Sequence, residues 1–134
     1  MPRNMALAIV VAAGALLVAC GGDEGTTTID GRQANDHGTE EVAREASIEF
    51  EMDDFYFGPT MLQGDAGQAL TLETFNEGDA THNLTIADQG IDVDVDVEAG
   101  GEAEIEVTFP ESGTLVFECK YHAGQGMIGA LEVA

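Results

Sequence analysis

Two cysteines, Cys20 and Cys119, are all that the 134 residues contain, far too few for a small fold held by disulfides, so apolar packing must carry its stability. Positive charge is scarce as well: four Lys and Arg stand against 26 Asp and Glu, a formal charge of -22. That balance excludes nucleic-acid binding, because phosphate contacts need clustered basic side chains. It also keeps a domain soluble and draws basic partners from a distance, while saying nothing of the fold. From Ser47 onward no segment has good helical periodicity, which speaks against alternating βαβ units. The length suits one compact domain.

What is present begins with an address. Residues 1–4 carry Arg3, and residues 5–19 form an almost unbroken apolar run ending Leu17-Val18-Ala19-Cys20-Gly21, the pattern of an export signal. The run falls short of the roughly 20 apolar residues that a membrane span needs. Leu-Val-Ala-Cys resembles the lipobox of bacterial lipoproteins, which implies cleavage before Cys20 and a lipid on its thiol. Residues 1–19 are therefore expected to be a signal peptide, and Cys20 a membrane anchor. Cleavage there would remove Arg3 and no acid, so the acidity belongs to the mature chain. An uncleaved anchor or a plain secretory signal with Cys20 as a spare thiol is the alternative. All three place the domain outside the cytoplasm, in the lipoprotein case on the outer side of the cytoplasmic membrane or in the periplasm.

Residues 20–46 hold scarcely a large apolar side chain and are expected to be a flexible tether, because such a stretch cannot offset the entropy of ordering. His37 within it reads as a solvated linker histidine. Residues 47–134 form the expected domain. There the pattern becomes period two: Ile48, Phe50 and Met52 face one way, and Ile91, Val93, Val95 and Val97 alternate with Asp92, Asp94 and Asp96. Ala103, Ile105, Val107 and Phe109 alternate with Glu102, Glu104 and Glu106 in the same manner. The short Gly-containing connection at 98–101 predicts that these last two strands form a hairpin. Further strands are expected at 68–75, 82–86, 114–119 and 130–133, with shorter ones at 55–57 and 61–63. Short strands at close spacing, punctuated by Gly and Pro, predict an all-β, antiparallel or mixed sandwich.

The alternation also aims particular side chains. Leu115, Phe117 and Cys119 share one strand face, and His82, Leu84 and Ile86 share another, so Cys119 and His82 both point at the core. His82 opens its strand and Cys119 closes the other; as antiparallel neighbours the two would meet at one end of the sandwich. Directly after comes Cys119-Lys120-Tyr121-His122-Ala123-Gly124-Gln125-Gly126-Met127, a C-x2-H-x4-M loop able to fold three donors around one point. Gly124 and Gly126 permit its tight turns. Thiolate and thioether suit Cu(I) and imidazole suits Cu(II) as well, so one Cys, two His and a weak Met can hold both states. Zinc is the chemical competitor for Cys and two His, but Met is a poor zinc ligand.

The segment Phe117-x-Cys119-x-x-His122-x-Gly124-x-Gly126-Met127-x-Gly129 resembles the copper loop of plastocyanin, and His82-Asn83 resembles the first-ligand segment of cupredoxins. The resemblance spans about residues 47–134. It implies a Greek-key β-sandwich of seven or eight strands carrying one type 1 copper, with His82, Cys119 and His122 in plane and Met127 as the long axial ligand. It further implies that Asn83 donates its backbone N–H to the Cys119 sulfur while its side chain braces the ligand loop. Two positions depart from plastocyanin. Tyr121 stands where Pro is usual, and its free N–H is expected to give the sulfur a second hydrogen bond. Glu118 stands where a Tyr usually precedes the cysteine.

The expected function is a one-electron Cu(I)/Cu(II) shuttle, monomeric and without enzyme activity. The alternative is an extracytoplasmic protein that scavenges or delivers copper, which the lack of Met-rich or His-rich segments disfavours. Copper oxidases and reductases of this fold need further copper centres, and this chain has one ligand set. Redox partners are expected to present a basic surface. Docking is expected at the His122 edge, over Ala123, Gly124, Met61 and Leu62, with Glu118 on the wet face attracting the partner.

Overall fold

The structure, a computed structural model, describes residues 25–134; the expected signal peptide and Cys20 lie outside the described residues. In chain order the strands are β1 (Gly25–Ile29), β2 (Arg32–Asp36), β3 (Thr39–Glu41), β4 (Ser47–Asp53), β5 (Tyr56–Gly58) and β6 (Met61–Gly64). They continue with β7 (Ala69–Asn76), β8 (His82–Asp88), β9 (Ile91–Val97), β10 (Glu102–Thr108), β11 (Thr114–Glu118) and β12 (Ile128–Val133). One sheet has the order β10-β7-β4-β5 and the other β3-β6-β12-β11-β8-β9, while β1 and β2 pair only with each other.

The all-β sandwich follows from the alternation. Ile48, Phe50 and Met52 of β4, Leu70 and Leu72 of β7, and Ile105 and Val107 of β10 enter the core from one sheet. Leu84 and Ile86 of β8, Leu115 and Phe117 of β11, and Leu131 of β12 enter from the other. Phe50, Phe57 and Phe117 form the aromatic centre, with ring centroids 5.1 to 5.8 Å apart, in the stacked and edge-on arrangements that aromatic quadrupoles favour. The chain leaves the six-stranded sheet after β9, supplies β10 to the edge of the other sheet, and returns as β11 beside β8, which is the Greek-key excursion.

Three expectations change. β9 and β10 do not form a hairpin: β9 pairs with β8 and β10 with β7, so the 98–101 connection crosses between sheets. The hairpin partner of β9 is β8, joined through Gln89 and Gly90, both at positive φ, the geometry that two-residue turns of matching twist require. Second, residues 25–46 are not a tether but carry β1 to β3. Ile29 and Ala34 of the β1–β2 hairpin are buried against Ile128 and Ala130 of β12, and Val42 joins the main core. A few small apolar residues at strand spacing suffice because they cover a sheet face that is itself apolar. Third, the described residues hold twelve strands, nine of them, β4 to β12, within residues 47–134, where seven or eight were expected.

Candidate metal centre

Backbone pairing brings the donors together. β8 and β11 run antiparallel as neighbours, with Glu118 opposite Thr85, so the start of β8 and the end of β11 meet at one pole. His82 and Cys119 are wholly buried there. The following loop is folded by its own backbone. Cys119 N–H donates to the Met127 carbonyl (3.0 Å), His122 and Ala123 N–H groups donate to the Cys119 carbonyl (3.1 and 2.8 Å), and Gln125 and Met127 N–H groups donate to that of His122 (2.9 and 3.3 Å). A short 3-10 turn at Ala123–Gln125 ends on Gly126 at φ 89°, where a side chain would be strained and would press on Asn35.

The result is a convergent donor set. His122 Nδ1 lies 3.2 Å from His82 Nδ1 and 3.4 Å from Cys119 Sγ. These three donor atoms lie within 4.8 Å of one another. Met127, expected as the fourth ligand, is wholly buried at the end of the same loop. Burial, and then the neighbouring His82, hold the His122 imidazole below the usual histidine range, which keeps a lone pair free at neutral pH. One cysteine sulfur and two imidazoles converging, with a buried methionine on the same loop, are a donor set that fits copper better than zinc, which gains nothing from a thioether.

Asn83 is buried, and its side chain joins β9 to the ligand loop, whereas no hydrogen bond from its backbone N–H to the Cys119 sulfur is found among the described residues. Its amide donates to Asp94 Oδ1 (2.8 Å) and Asp96 Oδ1 (2.7 Å) of β9, and its oxygen accepts from Thr85 Oγ1 and from Lys120 N–H at 3.4 Å. The Lys120 ammonium and then the Asn83 amide hold the Asp94 carboxyl below its ordinary range, while for Asp96 the Asn83 amide leads and the Tyr121 hydroxyl follows. Tyr121 is half exposed, and it touches this network through its hydroxyl, 2.8 Å from Asp96 Oδ2. The contact found for Tyr121 is thus a hydroxyl on β9 rather than an amide on the sulfur.

The expected docking patch also changes. Leu62 is wholly buried and cannot face a partner, while Met61 is half-buried against the cluster of Ile29, Ala34, Ile128 and Ala130. The Glu118 carboxylate is ion-paired with Arg32 of β2 at 2.6 Å and is no free acid. His37 is no isolated linker residue either: its ring stacks on Tyr56 with centroids 3.3 Å apart.

Three residues unnoticed in the sequence shape the pole. Asp54 Oδ1 lies 2.7 Å from His82 Nε2. The Phe55 ring lies 4.6 Å from that of His122. Asn35 donates its side-chain amide to the Phe55 carbonyl (2.8 Å) and the Gln125 carbonyl (2.9 Å), and its backbone N–H to Gly126. None has a spacing signal to the ligand loop; an Asp-Phe pair directly after an alternating strand was the available hint.

The profile of the family described as Cupredoxin-like domain matches residues 10–130. No curated protein matches the chain. Reduced auracyanin from the photosynthetic bacterium Roseiflexus castenholzii is a similar solved structure at 23% identity, covering 67% of this chain and 98% of that one with a TM-score of 0.53. A mutant fern plastocyanin is similar at 22% identity, over 65% of this chain and 100% of that one, with a TM-score of 0.50. A multicopper oxidase is similar at 19% identity, over 83% of this chain and 46% of that one, with a TM-score of 0.53. At these identities the likeness is one of fold.

Proposed function

The chain belongs to the cupredoxin-like domain family, and from that premise we propose that it is a one-electron carrier built around a single type 1 copper held by His82, Cys119, His122 and Met127. The observation that carries this reading is the burial of the donor set: His82, Cys119 and Met127 have no exposed surface, and only His122 reaches partway to solvent. Copper bound there supplies a one-electron change between Cu(I) and Cu(II). The protein's own part is to hold the donors still and dry. Loop hydrogen bonds fix the backbone of Cys119 and His122, and Asn83 ties that loop to two strands. Such bracing limits rearrangement when charge changes. Delivery to another protein would require donors that open easily, and this set is enclosed.

No reaction on a bound substrate belongs to this reading. His122 is the donor nearest solvent, so the pole beside Phe55 and Ala123 is where a redox partner would approach. The net acidity of the chain selects a partner with a basic rim. We further propose that the protein sits outside the cytoplasm, held to a membrane through lipid on Cys20; labelled fatty acid should enter the wild-type protein and not Cys20→Ser.

The deciding experiment loads purified protein with Cu(II) and records visible and electron paramagnetic resonance spectra. Intense blue absorption with narrow copper hyperfine splitting is the expected result. A colourless protein binding Cu(II) through nitrogen and oxygen alone would refute the type 1 site, and rapid copper transfer to an acceptor would favour delivery instead.

A further inference from the structure

His82 is held from behind. Its Nδ1 faces the donor cluster, while its Nε2 lies 2.7 Å from Asp54 Oδ1. Asp54 is itself fixed: Oδ2 accepts the Asp79 N–H at 3.0 Å and Oδ1 the Ala80 N–H at 3.3 Å. Gly78 leaves room for the pair, because a Cβ there would fall 2.7 Å from His82 Nε2 and closer still to Asp54 Oδ1. The next residue, Phe55, lays its ring against His122 and has its carbonyl held by Asn35. The turn between β4 and β5 therefore backs both histidines at once. Of the other acids, Asp94 and Asp96 are engaged with Lys120 and Asn83, and Glu118 with Arg32.

We propose that Asp54 is a positioning residue of the metal centre, one that keeps the His82 proton on Nε2, presents the Nδ1 lone pair to the metal, and biases the centre toward Cu(II). An ionised carboxylate can only accept, so the proton of this contact belongs to Nε2. Nδ1 is then the free donor, in the direction of Cys119 and His122. The carboxylate also makes the imidazole a stronger donor, and a fixed negative charge beside the ligand stabilises the more positive metal state.

The inference rests on the type 1 reading for its redox half only. Nitrogen-15 NMR of the metal-free wild-type protein tests the other half directly: His82 should carry its proton on Nε2, and a proton on Nδ1 overturns the proposal whether or not any variant folds. In the copper-loaded protein, Asp54→Asn keeps the side-chain shape and loses the charge. The expected result is a retained blue band with the ratio of Cu(II) to Cu(I) affinity lowered about tenfold, within the range that outer partners of ligand histidines command. For one electron this is a rise of about 59 mV in potential. An unchanged or lowered potential in folded Asp54→Asn overturns the redox half. Were the wild-type protein never to turn blue, the type 1 reading and the redox half would fall together, and the tautomer would still decide the positioning.

Discussion

Position 129 has no space for a methyl group: a Cβ on Gly129 would fall 2.6 Å from the Thr60 carbonyl oxygen and closer to the Phe117 ring. Gly129→Ala should therefore cost about 1–3 kcal/mol, the usual penalty of overpacking, read as a lower denaturation midpoint; an unchanged midpoint would show that the ring can move aside. At the ligands, Cys119→Ser should abolish the blue band while circular dichroism reports an intact sandwich, because the core is apolar without the sulfur. Met127→Leu should keep the band and raise the potential, since loss of a weak thioether donor would disfavour Cu(II) more than Cu(I); voltammetry showing a fall would reassign Met127. The clustering of His82, Cys119 and His122 was legible in the sequence because two of them lie within four consecutive residues and the third opens an alternating strand. Asp54 was not. It stands 28 positions before His82 in a chain with 26 acids, and only the closure of two sheets places one carboxylate behind that ring.

Among elements, the β1–β2 hairpin shows most clearly what a sequence can hold unnoticed. Its composition reads as linker, yet Asp30 and Gly31 both adopt positive φ between Ile29 and Arg32, and Asp-Gly between β-prone residues is a strong short-range hairpin signal. Threonine at 26, 27 and 28 supplied the strand propensity. The 91–109 region erred the opposite way. Two well-patterned strands joined by a short Gly-rich link looked like a hairpin, but alternation fixes which face is buried and not which neighbour is bonded. Since Asn35 pins the hairpin to the ligand loop and to the Phe55 carbonyl, Asn35→Ala should speed hydrogen exchange across residues 122–127 as well as 25–36. Faster exchange in the hairpin alone would separate the two elements. Glu118→Gln, which removes a half-exposed partner of Arg32, should change stability by no more than about 1 kcal/mol in thermal melts.

For the whole molecule, charge decides the pH response. Asp54, Asp94 and Asp96 are all held below the ordinary carboxyl range, Asp54 chiefly by the Asp79 N–H. Their contribution is present above the unfolded value, about 3.9, and is lost as pH falls through the lower folded values. Glu77 works oppositely: Glu51 beside it raises its pKa, so protonation from above relieves the fold, as does the decline of a net charge of -22. The melting temperature of the metal-free protein should thus rise from pH 7 toward about 5 and drop below about 4; a steady fall from neutrality would show that self-repulsion matters little. The ordered hairpin has one more consequence, in distance. Gly25 pairs with Asp36, beside the Asn35 that grips the ligand loop, so the described chain starts at the metal-bearing end. Only residues 21–24 separate it from Cys20, a reach of at most about 17 Å, where a leash extending to residue 46 could span about 90 Å. With Cys20 lipidated, as proposed, the pole that carries His82, Cys119 and His122 would be berthed within a few nanometres of the bilayer. Nitroxide lipids should quench a dye at position 124 far more than one at position 113, and equal quenching would mean that the molecule swings free.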